Sequence, residues 1–306
     1  MRTPEANVIG DSKETSSYFI GGGRFEAPAL APGLYIVATP IGNLRDITLR
    51  ALETLAAADV VYCEDTRTSA KLLDHYGIRT PRKALHEHNE RERAEAVVAD
   101  LGRGSRIALI SDAGTPLLSD PGFPLVRAAR AAGLDIFAVP GASALLSGLA
   151  VAGLPTDSFS FHGFLPVRQA ARQKAIAALA DRMETLVFYE SPRRLGATLA
   201  ALAEELGAAR EAAVALELTK RFERVARGTL GELAAQFGEG ETRGEAVILV
   251  AGATEPAAPA EADWQAALAG ALESQPLRAA VEEITGRFGL KRKQVYDAAL
   301  ALKGSR

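Results

Sequence analysis

The densest run of residues able to do chemistry is Ile110-Ser111-Asp112-Ala113-Gly114-Thr115-Pro116-Leu117-Leu118-Ser119-Asp120-Pro121-Gly122. It directly follows the strongest apolar run, Ile107 to Ile110. A carboxylate at Asp112, just past a strand end, can meet ribose hydroxyls or a cationic ligand group. Gly114 lets backbone approach a ligand closely. Asp120-Pro121 has the form of a helix start with Pro in the first turn. Two Asp, two Gly and two Pro in so short a run would also make a plain turn-and-cap segment, but the place of the run directly after the strongest strand favours a ligand loop.

Other clusters follow other strand ends. Glu64 and Asp65 end the run Val60 to Cys63, with Arg67 beside them. This acidic pair would orient or deprotonate a hydroxyl, with Arg67 holding a carboxylate or phosphate. Equally, Asp65 would cap a helix and pair with Arg67 structurally. Arg193 and Arg194, in Glu190-Ser191-Pro192-Arg193-Arg194, suit nucleic-acid phosphates and are unfavourable at the positive end of a helix dipole. Lys220 and Arg221, beside Phe222, form a second basic cluster, and Lys291, Arg292 and Lys293 a third at a helix start. His86-Glu87-His88 alternates as in a strand, unlike the i, i+4 pair of a helical zinc site, so no metal is expected. His162 reads as a packed, hydrogen-bonded histidine.

The elements positioning these loops alternate. Short apolar strands at Leu34–Ala38, Val60–Cys63, Ile107–Ile110 and Ile136–Val139 are each followed by a helical pattern. Near-continuous apolar strands between helices predict a parallel sheet covered on both faces. Gly153-Leu154-Pro155 marks a break, and further strands are expected near Phe159–Phe161, Thr185–Tyr189, Ala213–Leu218 and Ala246–Val250. The expected organisation is a flexible tail over 1–32, an α/β domain over 33–153, a second over 154–253, a linker over 254–262 and a helix–turn–helix-like domain over 263–306. The chain's 306 residues and 48% hydrophobic content suit this plan.

A net charge of −3 excludes a generally basic nucleic-acid binder but not local basic faces. A single cysteine, Cys63, excludes an internal disulfide and fits the cytoplasm. No membrane span or signal peptide is expected. Neither a G-x-x-x-x-G-K-[ST] loop nor a G-x-G-x-x-G turn after a strand is present.

Six ordered segments together carry a resemblance: Ala38–Leu44, Cys63–Arg67, Ser111–Gly122, Val139–Ser143, His162–Pro166 and Tyr189–Arg193. The chain from about residue 34 to 303 resembles the tetrapyrrole-methylase superfamily, and within it the group acting on small-subunit ribosomal RNA. The resemblance implies two α/β domains with S-adenosyl-L-methionine in the cleft between them, and a homodimer. It implies 2′-O-methylation of a cytidine in the decoding region, on free RNA or the 30S subunit. By position the cofactor would touch Pro40, Gly42, Asp112, Ala113, Gly114, Pro116, Leu117, Ala142, Ser143, Phe164, Tyr189 and Ala246, mostly through backbone and apolar atoms. Glu64, Asp65 and Arg67 would serve catalysis. Arg193, Arg194, Lys220, Arg221, Lys291, Arg292 and Lys293 would meet RNA. A methyltransferase for a tetrapyrrole precursor and a non-catalytic RNA-binding assembly factor are the competing expectations.

Overall fold

The computed structural model describes residues 16–86, 89–238, 244–253 and 261–304. His86-Glu87-His88 thus lies partly outside the described residues, as does most of the expected linker. The chain divides into two compact units, Met1–Gly252 and Ala253–Arg306.

The first unit begins with a hairpin, β1 (Ser17–Ile20) and β2 (Gly23–Glu26). These residues fall in the expected flexible tail over 1–32. Instead Gly21 and Gly22 take φ of +56° and +87°, the left-handed pair that a two-residue hairpin turn requires. Tyr18 is 4% exposed in the core, and the Phe19 N–H donates to the Tyr76 carbonyl at 2.8 Å. Glycines that suggested disorder are turn residues here, and burial of one tyrosine holds the hairpin down.

Next come β3 (Gly33–Val37), α1 (Leu49–Ala57), β4 (Val60–Cys63), α2 (Thr66–His75), β5 (Arg82–Ala84), α3 (Glu90–Gly102), β6 (Arg106–Leu109), α4 (Phe123–Ala131), β7 (Ile136–Val139) and α5 (Ala144–Ala152). Their strands form one all-parallel sheet in the order β5-β4-β6-β3-β7. Separate apolar clusters cover its two faces, one around Val37, Leu52 and Leu73, the other around Leu34, Leu109 and Leu125. Helix starts follow local chemistry: Thr48 accepts from the Ala51 N–H, Asp65 from Arg67 and Ser143 from Leu146. The start of α4 differs from expectation. Gly122, at φ +118°, precedes the helix and Pro124 occupies its first turn, so Asp120 remains in the loop.

The second half contains β8 (Phe159–Phe164), α6 (Gln169–Ala177), β9 (Thr185–Glu190), α7 (Leu195–Leu206), β10 (Glu211–Leu216), β11 (Arg224–Thr229), α8 (Leu230–Gly238) and β12 (Ala246–Val250). The sheet order is β11-β10-β12-β9-β8, and only β8 and β9 run parallel. Helix α5 belongs to the first half in sequence, yet Leu145, Leu149 and Ala152 share a core with Val187, Ala213 and Leu249 of this sheet. A Cβ on Gly148 would stand 3.1 Å from Val247, so the glycine permits that packing. The two halves therefore share a core across the cleft.

The second unit contains α9 (Glu261–Ser274), α10 (Leu277–Phe288) and α11 (Arg292–Gly304). They enclose Trp264, Leu268, Val281, Ile284 and Val295. Gly289, at φ +63°, ends α10 in the left-handed conformation. No helix among the described residues is long and apolar enough to cross a membrane.

Candidate active site

The carboxyl ends of β3, β4, β6 and β7 all open to the same edge of a parallel sheet, where α/β folds bind ligands. There the first unit encloses a cavity of about 340 Å³. The 112–120 loop forms one wall, through Asp112, Ala113, Gly114, Thr115, Leu118, Ser119 and Asp120. The opposite wall comes from the second sheet and its loops, with Phe164, Tyr189, Glu190, Leu218, Glu245 and Val247.

The loop is fixed at several points. Thr39 and Gly114 exchange backbone hydrogen bonds of 2.8 and 3.0 Å, which ties the loop to the end of β3. The Thr115 hydroxyl donates to the Ala142 carbonyl at 3.3 Å. The Gly122 N–H donates to the Glu90 carboxylate at 2.7 Å. Two residues with side chains, Leu117 and Ser119, take φ of +77° and +70°. Such conformations cost of order 1–3 kcal/mol each and gather at ligand sites. They turn the chain so that Asp120 faces the cavity.

Asp120 is the titratable group that stands apart. Burial, with Glu64 and then Asp112 as neighbouring negative charges, raises its pKa from 3.8 to about 6, against a hydrogen bond from Ser111. In the sequence Asp120 reads only as a helix-start signal. Its one legible clue was its place at the end of the Gly- and Pro-rich run.

The expected catalytic pair behaves differently. Asp65 caps α2, and its Oδ2 accepts from Arg67 Nη2 at 2.8 Å. That Arg67 hydrogen bond is the main reason the Asp65 pKa falls to about 2. A carboxylate so acidic is a poor proton acceptor at neutral pH. Arg67 is 89% exposed, and neither it, Asp65 nor Glu64 lines the cavity. Glu64 acts on the site electrostatically, through Asp120.

Of the expected cofactor residues, Asp112, Ala113, Gly114, Phe164, Tyr189 and Ala246 line the cavity. Pro40, Pro116, Leu117, Ala142, Ser143 and Gly42 lie outside the lining, and several position it. Ser143 caps α5, Ala142 receives Thr115, and Leu117 turns the loop. Gly42 is an approach point between the halves, since a Cβ there would meet Lys220 Cγ at 2.4 Å. Tyr189 accepts the Leu145 N–H at 3.1 Å and packs edge-on against Phe164, with ring centroids 5.8 Å apart.

Two expected RNA contacts are held by carboxylates. Glu190 Oε2 has a side chain with 0% exposure and pairs with Arg194 at 3.2 Å. It also accepts from Thr198 at 2.7 Å, while Oε1 accepts from the Ser191 N–H at 2.7 Å. Arg194 in turn donates to the Leu165 carbonyl at 2.7 Å, so it fixes the segment carrying Phe164. Lys220 donates to Glu217 at 2.8 Å and Glu245 at 3.4 Å. Arg193 and Arg221 are exposed, as are Lys291, Arg292 and Lys293 at the start of α11. His162 packs as expected: it stacks on Phe188, bonds to Ser160 at 2.9 Å, and burial lowers its pKa.

The model of the tetrapyrrole (corrin/porphyrin) methylase family matches residues 33–234, the span that holds both sheets' cavity-forming loops up to α8. A second model, the RsmI C-terminal HTH domain, matches residues 258–303. A ribosomal RNA small subunit methyltransferase I from Mesorhizobium japonicum is 49% identical over 284 residues, covering 92% of this chain and 96% of that one. The protein of the same name from Haemophilus influenzae is 45% identical over 272 residues, covering 88% and 96%. The chain therefore belongs to the tetrapyrrole methylases, in their ribosomal RNA small subunit methyltransferase I group. Solved structures share the fold at lower identity. They include a diphthine synthase (TM-score 0.56, 17% identity, 73% of this chain and 91% of that one). Another is the uroporphyrin-III-C-methyltransferase of Thermus thermophilus (TM-score 0.53, 22% identity, 72% and 94%).

Proposed function

We propose that the protein transfers a methyl group from S-adenosylmethionine to a cytidine ribose 2′-hydroxyl in the decoding region of small-subunit ribosomal RNA. The names of its relatives support the RNA substrate. The homodimer, the cytoplasmic location and the choice of nucleotide belong to the same proposal and follow the family resemblance.

The observation that carries the chemistry is the place of Asp120, a partly buried carboxyl group on the wall of a largely apolar strand-end cavity, where burial and then Glu64 and Asp112 raise its pKa to about 6. When bound, the cofactor supplies a methyl group already activated on a sulfonium, so catalysis becomes chiefly a matter of alignment. The lining suits such a molecule. Asp112 and Asp120 give a negative field for its cationic groups, and Ile41, Leu118, Leu218, Val247 and the Phe164 and Tyr189 rings offer apolar surface. The left-handed Gly114 brings backbone to the wall, where a Cβ would stand 3.2 Å from Ile41. Asp120 holds an acceptor hydroxyl at the cavity and takes its proton, a role for which a pKa of about 6 is well matched. Arg194 and Glu190 keep the Phe164 wall in place.

The test incubates the protein and labelled S-adenosylmethionine with 30S subunits, naked small-subunit RNA or a tetrapyrrole. The expected product is a single labelled ribose in the RNA. Label on the tetrapyrrole alone, or on a base, would remove the assignment.

A further inference from the structure

Phe222 is 73% exposed, the most exposed aromatic among the described residues. A large apolar side chain in water is common where its loop is loose. The 217–223 loop is tightly held. Glu217 and Thr219 take φ of +51° and +66°. The Glu217 N–H donates to the Glu245 carbonyl at 3.1 Å, and the Glu245 N–H returns to Glu217 Oε1 at 3.1 Å. The Lys220 N–H donates to the Glu217 carbonyl at 2.9 Å, and its Nζ to Glu217 and Glu245. The Thr219 N–H donates to the Glu223 carboxylate at 2.6 Å, while the Glu223 N–H donates to the Lys220 carbonyl at 3.1 Å. Lys220 also rests against Gly42, across the cleft.

These bonds fix the loop on both sides of Phe222 and leave the ring itself in solvent. The foot of the loop belongs to the active site, because Leu218 and Glu245 line the cavity. At its tip the Arg221 guanidinium stands 5.6 Å from the Phe222 ring centroid. A rigid, solvent-facing ring beside a cation, a few residues from a cavity wall, has the chemistry of a base-stacking platform. RNA readers place unpaired bases on such rings and on arginine planes.

We propose that Phe222, with Arg221, stacks an unpaired nucleobase of the RNA strand that enters the cavity, and so determines substrate use without touching the cofactor. This rests on the RNA reading above. Lys220 is then the anchor of the platform, held by two carboxylates, and Arg221 its phosphate- or base-facing cation.

Three variants test it: Phe222→Ala, Phe222→Leu and Phe222→Trp. Loss of one base stack corresponds to a fall of about 5- to 150-fold in kcat/KM on RNA, the equivalent of about 1–3 kcal/mol. Ala and Leu are expected to lose activity alike, because leucine is apolar but cannot stack, while Trp retains it. S-adenosylmethionine affinity and Tm should be unchanged in all three. Full activity in the Ala variant, or recovery by Leu, would overturn the proposal. A second readout is independent of turnover. The chain has one tryptophan, Trp264, which is 3% exposed in the helical unit. A Trp at position 222 should therefore add an exposed fluorophore, quenched by a short single-stranded oligoribonucleotide. Absence of quenching by RNA, with the Ala defect appearing only on assembled 30S subunits, would mean that the ring meets a protein and would refute the stacking role. If the wild-type protein methylates no RNA, yet the Trp variant is quenched, the functional assignment fails and the platform stands.

Discussion

Replacing Asp120 with Asn keeps the side chain's shape and removes its charge and its ability to take a proton. A positioned general base contributes about 10²–10⁴ in rate, and a fall of that order is expected in kcat. The pH profile is the sharper readout. Burial, then Glu64 and then Asp112, hold the Asp120 pKa at about 6, above its ordinary 3.8. A group at that value is roughly 90% ionised at pH 7 and about 10% at pH 5, so the wild-type rate should fall about ninefold between them. The ascending limb should vanish in Asp120→Asn. In Asp112→Asn it should move to lower pH, because a facing negative charge is removed. Stability gives an independent sign. A raised folded pKa contributes stability that is complete below pH about 4 and is lost as pH rises through about 6. At pH 8 the Asn variant should therefore be more stable than wild type. Two pKa units correspond to about 3 kcal/mol, and partial solvent exposure leaves about 1 kcal/mol of that, or roughly 2–4 °C in Tm. Methyl-transfer assays from pH 5 to 9 and calorimetry at pH 5 and 8 measure both. An Asn variant that turns over at the wild-type rate, or keeps its limb near pH 6, would refute the reasoning.

Other substitutions separate structural roles from contacts. Arg194→Ala leaves Glu190 as an uncompensated buried charge, so a loss of about 3–5 kcal/mol in urea unfolding is expected; a stable variant defective only in RNA binding would contradict it. Gly42→Ala drives a methyl group into Lys220 and should cost about 1–3 kcal/mol, with weaker cofactor binding by titration calorimetry. Asp65→Asn should lower Tm slightly through the α2 cap while kcat stays near wild type; an inactive but folded variant would restore Asp65 to the chemistry. Changing Lys291, Arg292 and Lys293 together to Ala should make the log–log salt dependence of RNA binding shallower by about 2–3 without affecting cofactor affinity.

Much was determined by the sequence alone. Continuous apolar runs at Leu34–Ala38 and Ile107–Ile110, each bounded by turn residues, leave little choice but buried strands, and the helical pattern after each strand makes the sheet parallel. Their following loops must then lie on one edge. Six such segments in fixed order also carried the family. Patterning failed where a residue's role depends on what stands opposite. Gly21-Gly22 read as flexibility until Tyr18 found a core to fill. The mixed second sheet was not legible, because β10, β12 and β9 are buried on both faces and apolar runs carry no direction. The same limit decides between the acids. Asp65 and Asp120 both follow strand ends in polar loops, and local sequence treats them alike. Asp65 is satisfied within two residues by Arg67 and becomes a cap with a pKa near 2. Asp120 is turned by two left-handed residues into a hollow closed by the other half of the molecule, beside Glu64 and Asp112. Only tertiary structure buries Asp120 on the cavity wall and brings the charges of Glu64 and Asp112 near it, and that burial, with the two neighbouring charges added, raises the proton affinity on which the proposed chemistry depends.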